Sequence, residues 1–356
     1  MNLVVAQRLA ISGQKPKTSV KPRARWVGSW VFAASLALAL TGPGQAQVRE
    51  IAPKVAHGAD LRADMTGPSG LARWQGHRTG ARKRFAGAVI RDGRVYAFAQ
   101  RVAKGASYDG FVIPGAHLLI ENVDFTSGLD LFTKLPVVMR GVTVRTGQAE
   151  HWGVLSRPEA GRFYFLWSEV GAASAAGAPS DTRKRLGVAL LLKNDGAVVY
   201  RSHVTQASDG IQVHGVGSRI IETVIDALVH WKDDHNDGVQ VLGRGADLSV
   251  LRSRIENPQA LVACLNLNGT KALIEGNYLA GGGFSIYGGS RRNGHDRTFV
   301  ARGVVVRDTI FARSPYPRGG FHGPVTYWEP TAGAGNVWQG NRYSDGAAIA
   351  DPAASK

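Results

Sequence analysis

A chain of 356 residues with 45 Gly, 15 Pro and 44% hydrophobic residues is too apolar for a disordered polymer and too poor in Pro for a collagen-like one. It is long enough for one large elongated domain or two ordinary ones. Its single cysteine, Cys264, excludes an intramolecular disulfide, and its net charge of +16 fits either steering of an acidic polymer or a solvated basic surface without a specific partner.

Residues 1–46 read as a secretory signal peptide. Arg8, Lys15, Lys17, Lys21, Arg23 and Arg25 come before any acid; the apolar run 31–40 (VFAASLALAL) follows, then Gly42-Pro43-Gly44 and small residues around Ala46. That run is shorter than the ~20 residues a spanning helix needs. The expectation is an exported protein, periplasmic or extracellular, with no stable membrane anchor after cleavage. The leader holds six of the 43 basic residues and none of the 27 acidic ones, which leaves 37 against 27, a net +10. No nucleic-acid module is recognisable, and export argues against that partner. The charge fits an acidic polymer as partner, and the expected state is a monomer.

Residues 47–110 read as an N-terminal cap and first coils. From 111 to 311 the chain repeats irregularly. Seven eight-residue segments align without gaps: 118–125 (LLIENVDF), 137–144 (VVMRGVTV), 197–204 (AVVYRSHV), 218–225 (SRIIETVI), 248–255 (LSVLRSRI), 272–279 (ALIEGNYL) and 304–311 (VVVRDTIF). The third column (Ile120, Met139, Val199, Ile220, Val250, Ile274, Val306) and the eighth (Phe125, Val144, Val204, Ile225, Ile255, Leu279, Phe311) are wholly apolar. The sixth reads Val123, Val142, Ser202, Thr223, Ser253, Asn277, Thr309. Small polar residues recurring inside an apolar frame fit a hydrogen-bonded ladder at a bend between stacked coils. Residues 146–186, with the cluster Phe163-Tyr164-Phe165-Leu166-Trp167 and a loop at 171–185, read as an irregular insertion. Residues 312–356, with Phe321, Tyr327, Trp328, Trp338 and Tyr343, read as a C-terminal covering segment.

A second strand lies between repeats: Asp209-Gly210-Ile211-Gln212-Val213-His214-Gly215 matches Asp237-Gly238-Val239-Gln240-Val241-Leu242-Gly243, and 263–269 (ACLNLNG) and 282–288 (GGFSIYG) continue it. From residue 197 the repeat starts are 21, 30, 24 and 32 residues apart. Short β-branched strands joined by turns of variable length, with no helical period between them, imply an all-β, single-stranded parallel β-helix (a β-solenoid).

The densest polar cluster is Trp231-Lys232-Asp233-Asp234-His235-Asn236-Asp237-Gly238. Stacked coils lie about 4.8 Å apart, which makes Asp209 and Asp237 neighbours. Two close carboxylates raise each other's affinity for protons, so one can serve as an acid while the other stays ionised, as glycoside hydrolysis requires. A proton abstraction reading takes Lys232 and His235 as bases and Arg252 and Arg254 as cations that neutralise a neighbouring carboxylate. Asp209, Asp233, Asp234 and Asp237 are oxygen donors of the kind Ca²⁺ takes. The bland reading stands beside these: Asp-Gly before a strand is ordinary turn chemistry. On the outer face, strand parity puts Gln212, Gln240, Asn266 and Ser285 in one column and His214, Leu242, Asn268 and Tyr287 in the next, either sugar contacts or a solvated sheet face. His203 reads as a packed or surface residue, His151, His295 and His322 as loop residues, and Cys264 as a small core filler.

These motifs resemble the pectin-lyase-like right-handed parallel β-helix superfamily over roughly residues 110–312. Its polygalacturonases carry Asn-Thr-Asp-Gly, then an Asp-Asp pair one coil later, then Gly-His-Gly and Arg-Ile-Lys. Ser208-Asp209-Gly210-Ile211 looks like the first, and Asn236-Asp237-Gly238 with Asp233-Asp234 like the second. Gly281-Gly282-Gly283-Phe284-Ser285-Ile286 looks like the third without its His, and Arg-Ile-Lys is missing. The resemblance implies a right-handed coil and a polysaccharide-active protein. Lyase chemistry on an acidic, uronate-containing glycan, or the related C5-epimerisation that shares its proton-abstraction step, is the first expectation. A hydrolase using the Asp pair and a non-catalytic glycan binder are the alternatives.

Overall fold

The computed structural model describes residues 57–61, 82–146, 151–173, 186–230, 235–242, 247–260, 262–291, 298–329 and 334–352. All belong to one unit, Val48–Lys356. The expected leader and the residues Trp231, Lys232, Asp233 and Asp234 lie outside the described residues.

Each coil contributes three short strands. One runs Val198–Tyr200, His203–Thr205, Asp209–Val213; the next runs Arg219–Ile221, Val224–Asp226, Val239–Val241. First strands stack into a sheet of 10 (sheet I), second strands into another of 10 (sheet II) and third strands into one of 9 (sheet III). Pairing in these stacks is parallel, except where Ala99–Val102 meets His117–Glu121 antiparallel at the N-terminal edge of sheet I. The chain is a right-handed parallel β-helix.

The aligned columns are the inside of this helix. In sheet I, Ile120 stacks on Met139, Val199 on Ile220, and Val250 on Ile274, all fully buried. In sheet II, Val204, Ile225, Ile255 and Leu279 stack likewise. The segment 163–170 (FYFLWSEV) stands in the same register: Phe165 pairs with Met139 and Val199, and Val170 with Val144 and Val204. Its aromatic residues masked the Ile/Val pattern. At the C-terminal end, Gly323–Thr326, Val337–Gln339 and Arg342–Tyr343 add one further strand to each sheet. At the other end, the hairpin of Ala106–Tyr108 and Phe111–Ile113 lays Phe111 and Ile113 on Val138, Tyr164, Val198 and Tyr200, covering part of the outer face of sheet I.

Sheets I and II meet in a two-residue turn. Its first residue is left-handed at every level from Asn122 through Gly141, Trp167, Arg201, Glu222, Arg252 and Gly276 to Asp308, with φ between 45° and 64°, which turns the chain sharply enough to start a new sheet. Its second residue, Val at the first two levels (Val123, Val142), is the polar column from Ser168 onward. Ser168 Oγ accepts the N–H of Val142 (3.0 Å), Ser202 Oγ that of Ser168 (3.2 Å), Ser253 Oγ that of Thr223 (3.2 Å), and Asn277 Oδ1 that of Ser253 (2.8 Å). Asn341 Oδ1 extends the ladder to Thr309 N–H at 3.0 Å. Each side chain satisfies a backbone donor one coil back, which is why it must be small and polar in a dry corner. Residues 57–61 lie against this corner: Gly58 N–H donates to the Gly276 carbonyl (2.7 Å), His57 Nε2 lies 2.9 Å from the Asp308 carbonyl, and Leu61 packs on Val224.

Candidate functional site

The corner between sheets II and III carries the Asp-Gly pairs. Asp209 begins one strand of sheet III, and Asp237 stands in register one coil on, because Ile211 pairs with Val239. Asp209 Oδ1 accepts the Asp237 N–H at 2.7 Å, and Asp237 Oδ1 accepts the Ala263 N–H at 2.8 Å. The second oxygens are also taken: Gln212 Nε2 donates to Asp209 Oδ2 (2.6 Å) and Asn266 Nδ2 to Asp237 Oδ2 (2.9 Å). This is a second ladder, built of carboxylates. Asp209 and Asp237 are 9% and 2% exposed. Burial, with the Asp209 charge adding to it, pushes the Asp237 carboxyl up to about 7.

The glycines after these acids serve close packing. Neither Gly210 nor Gly238 has a positive φ, contrary to the turn-chemistry expectation. A Cβ on Gly210 would lie 2.4 Å from the Gly238 carbonyl oxygen, and one on Gly238 would lie 2.6 Å from the Cys264 carbonyl oxygen. Cys264 and Ser285 follow at the same position in the next coils, because Leu265 pairs with both Val239 and Ile286. Cys264 is fully buried and its thiol is pushed up to about 12 by burial, in keeping with a core filler.

The amide column is real, with one change of register. Gln212 pairs with Gln240, Gln240 with Asn266, and Asn266 with Tyr287. Tyr287 therefore joins the first outer column, and Ser285 leaves the surface: it is fully buried and its hydroxyl donates to the Gly281 carbonyl at 3.0 Å. The two-residue shift comes from the glycine-rich entry at 281–283, whose length the alignment could not weigh. Gln212 Nε2 also donates to Gln240 Oε1 at 3.1 Å. His214 and Asn268 stand in the adjoining outer positions; burial lowers the His214 imidazole, with Lys193 adding to the effect.

Tyr287 opens onto an aromatic run that spacing alone did not assemble. Rings contact in series from Tyr316 to Phe321 (5.5 Å), His322 (4.8 Å), Phe284 (5.4 Å), Tyr287 (5.5 Å) and Tyr327 (6.3 Å). Phe321 is 53% exposed and His322 is exposed. The sequence showed these aromatics in two separate segments; the pairing of Phe284–Tyr287 with Gly323–Thr326 joins them.

The remaining expected residues are dispersed. His235 is exposed, immediately before the buried Asn236, whose Oδ1 lies 3.0 Å from His230 Nδ1. Arg252 sits at the opposite corner, its Nε donating to Glu222 at 3.3 Å. Arg254 lies on sheet II, stacked 3.9 Å from the Tyr278 ring centre. Neither arginine reaches the amide column's sheet. Among the described residues, no three His, Cys, Asp or Glu side chains group to hold a metal. With their oxygens engaged by N–H donors, Asp209 and Asp237 do not present a Ca²⁺ ligand set; Asp233 and Asp234 lie outside the described residues.

The surface that results is a polar amide track on sheet III, held from behind by buried carboxylates and continued by partly exposed rings. In comparisons with protein families, curated proteins and solved structures, nothing matches this chain.

Proposed function

We propose that this β-helix is an exported protein acting on an acidic, uronate-containing polysaccharide, with the outer face of sheet III as its substrate track. The observation that carries the reading is the in-register column Gln212, Gln240, Asn266, Tyr287 running into the rings of Phe284, His322 and Phe321. Amide groups pair with hydroxyl and carboxyl groups, and ring faces pack on the C–H faces of sugars. The repeat of coils, about 4.8 Å, makes the track linear, as a polymer needs.

The chemistry that fits an acidic glycan is β-elimination. A base takes the proton beside the uronate carboxyl group, the bond to the adjoining glycosidic oxygen breaks, a C=C bond forms in the sugar, and the leaving oxygen takes up a proton to become a hydroxyl group. His235 and Lys232 are the base candidates, Tyr287, whose phenol is raised by burial, is the candidate acid, and the Asn266 amide N–H that the ladder leaves over stabilises the carboxylate as charge develops. Asp209 and Asp237 are positioning residues, because they orient Gln212 and Asn266. C5-epimerisation would use the same first step. A second reading, a glycan-binding protein without turnover, is favoured by the engagement of both buried carboxylates in the corner ladder.

The test is a panel of uronate-containing and neutral polysaccharides, followed for ultraviolet absorbance of an unsaturated product and for new reducing ends. Absorbance that disappears in Tyr287→Ala and Gln240→Ala is the expected result. Reducing ends without absorbance would replace the lyase with a hydrolase. Altered uronate stereochemistry without new ends would identify an epimerase, and binding without any product would establish the binder.

A further inference from the structure

A cavity of about 100 Å³ opens where sheets III and I begin, at the N-terminal end of the stack. Three arginines from three elements line it: Arg91 from the first strand of sheet III, Val89–Arg91; Arg94 from the turn that follows; and Arg101 from the first strand of sheet I, Ala99–Val102. Tyr96 fixes the turn: its hydroxyl accepts the Arg91 N–H at 2.8 Å and donates to the Val89 carbonyl at 2.9 Å. The Arg91 guanidinium lies over the Phe132 ring, 5.1 Å from its centre, and Arg101 stands opposite Leu118 in the antiparallel pair.

Among the described residues, none of the three guanidiniums has a carboxylate partner. The one acid that lines the cavity, Asp92, is turned to the next coil: its Oδ1 accepts the Thr133 hydroxyl at 2.5 Å and the Lys134 N–H at 3.1 Å, and these bonds hold its carboxyl below the usual range. Three charges of one sign therefore converge on a space well under the ~300–1,000 Å³ of drug-sized ligand sites. Elsewhere in the chain a single fork fills a planar carboxylate: Arg157 Nε and Nη2 donate to the two oxygens of Asp130 at 2.9 and 2.6 Å. Three forks exceed what two oxygens in one plane can accept in that manner. A tetrahedral oxyanion carries more charge and points its oxygens in several directions, which suits guanidiniums converging from different elements.

We infer that this cavity is an oxyanion site, which takes a phosphate or sulfate group through Arg91, Arg94 and Arg101. It lies four strands along sheet III from Gln212, about 19 Å at the coil repeat, and is independent of the glycan track. Its surroundings steer an anion towards it: residues 82–104 carry seven basic side chains against Asp92 alone.

Isothermal titration calorimetry on the full chain at low ionic strength, with inorganic phosphate, sulfate, glucose 6-phosphate and acetate as probes, tests this. Phosphate or sulfate is expected to bind, with acetate roughly tenfold weaker or more. Arg94→Gln and Arg101→Gln should each weaken the oxyanion roughly tenfold or more, through loss of a charged hydrogen bond. Arg101→Lys, which keeps the charge and loses the fork, should weaken it as well. Arg84 is exposed and outside the cavity, so Arg84→Gln removes the same charge and should leave binding within about twofold. Near-ultraviolet circular dichroism establishes that each variant is folded. Tighter binding of glucose 6-phosphate would uphold the site as one for a phosphate carried on a larger molecule; tighter binding of inorganic phosphate would uphold it as one for the free ion. Absence of binding by both phosphate and sulfate, equal binding of acetate, or a loss in Arg84→Gln equal to that in Arg101→Gln would overturn the inference.

Discussion

The carboxylate of Asp209 accepts the backbone N–H of Asp237 at 2.7 Å, one coil further along the stack. The contact joins two residues 28 positions apart and makes an acidic corner into a structural seam. It also keeps a charge beside Asp237, which is itself 2% exposed.

Asp237 should therefore make stability depend on pH. Its carboxyl stands at about 7 in the folded chain against 3.8 when exposed, so the folded state holds a proton that the unfolded state has lost between those values. Stability is greatest with respect to this group below about pH 4, falls as pH rises towards 7, and is flat above. The span corresponds to at most about 4 kcal/mol. Denaturant titrations across this range should show the fall in the parent chain and a flatter profile in Asp237→Asn, which has no proton to lose; identical profiles would contradict the assignment.

The ladder at the I–II corner should be costly to interrupt. Asn277 accepts the Ser253 N–H and donates to the Val250 carbonyl, both at 2.8 Å and fully buried. Asn277→Leu leaves the buried Ser253 N–H unpaired, at about 1–3 kcal/mol, and takes one of its donors from the Val250 carbonyl. Thr309→Val removes a longer contact, 3.4 Å to the Asn277 N–H, and should cost less. Urea midpoints of the two variants compare them directly.

Glu222 should matter out of proportion to its size. It is 1% exposed and pairs with Arg201 at 2.6 Å and Arg252 at 3.3 Å. Glu222→Ala strands a buried guanidinium and should destabilise by about 3–5 kcal/mol, read as a shift in urea midpoint. A change below about 1 kcal/mol would show that water reaches Arg201.

The glycine of each Asp-Gly pair should resist substitution for want of space. Gly238→Ala brings a Cβ within 2.5 Å of Ile255 Cγ2 and 2.6 Å of the Cys264 carbonyl oxygen, an overpacking cost of about 1–3 kcal/mol or more. Gly93→Ala is the contrast: φ is 73° and no atom lies within 4 Å, so only the conformational cost remains, about 1–2 kcal/mol. Thermal melts should rank Gly238→Ala as the more damaging.

Removing the exposed ring of Phe321 should weaken glycan binding and spare the fold. Ring stacking is worth about 0.5–1.5 kcal/mol, so Phe321→Ala should raise Kd up to about tenfold, with an unchanged melting temperature. Equal affinity in both proteins would remove Phe321 from the track.

The sequence by itself determined the coil. Apolar residues at the third and eighth columns and small polar ones at the sixth were legible because both strands and the two-residue turn between them have constant length, so one gap-free alignment captures them. It also made Asp209 and Asp237 neighbours and aligned Gln212 with Gln240 and Asn266. Only the tertiary structure decided which groups face water and which coils align across the variable turns. The glycine-rich turn before Phe284 moved Tyr287 by two positions and buried Ser285. The corner turned the carboxylates of Asp209 and Asp237 towards backbone N–H groups instead of solvent. Arg252 and Arg254, two residues apart, went to a corner and a sheet face, because Arg252 opens the two-residue turn and Arg254 begins the strand after it. Periodicity sets which face a residue occupies; the length and direction of each turn set what that face meets, and a single chain carries no local signal for that.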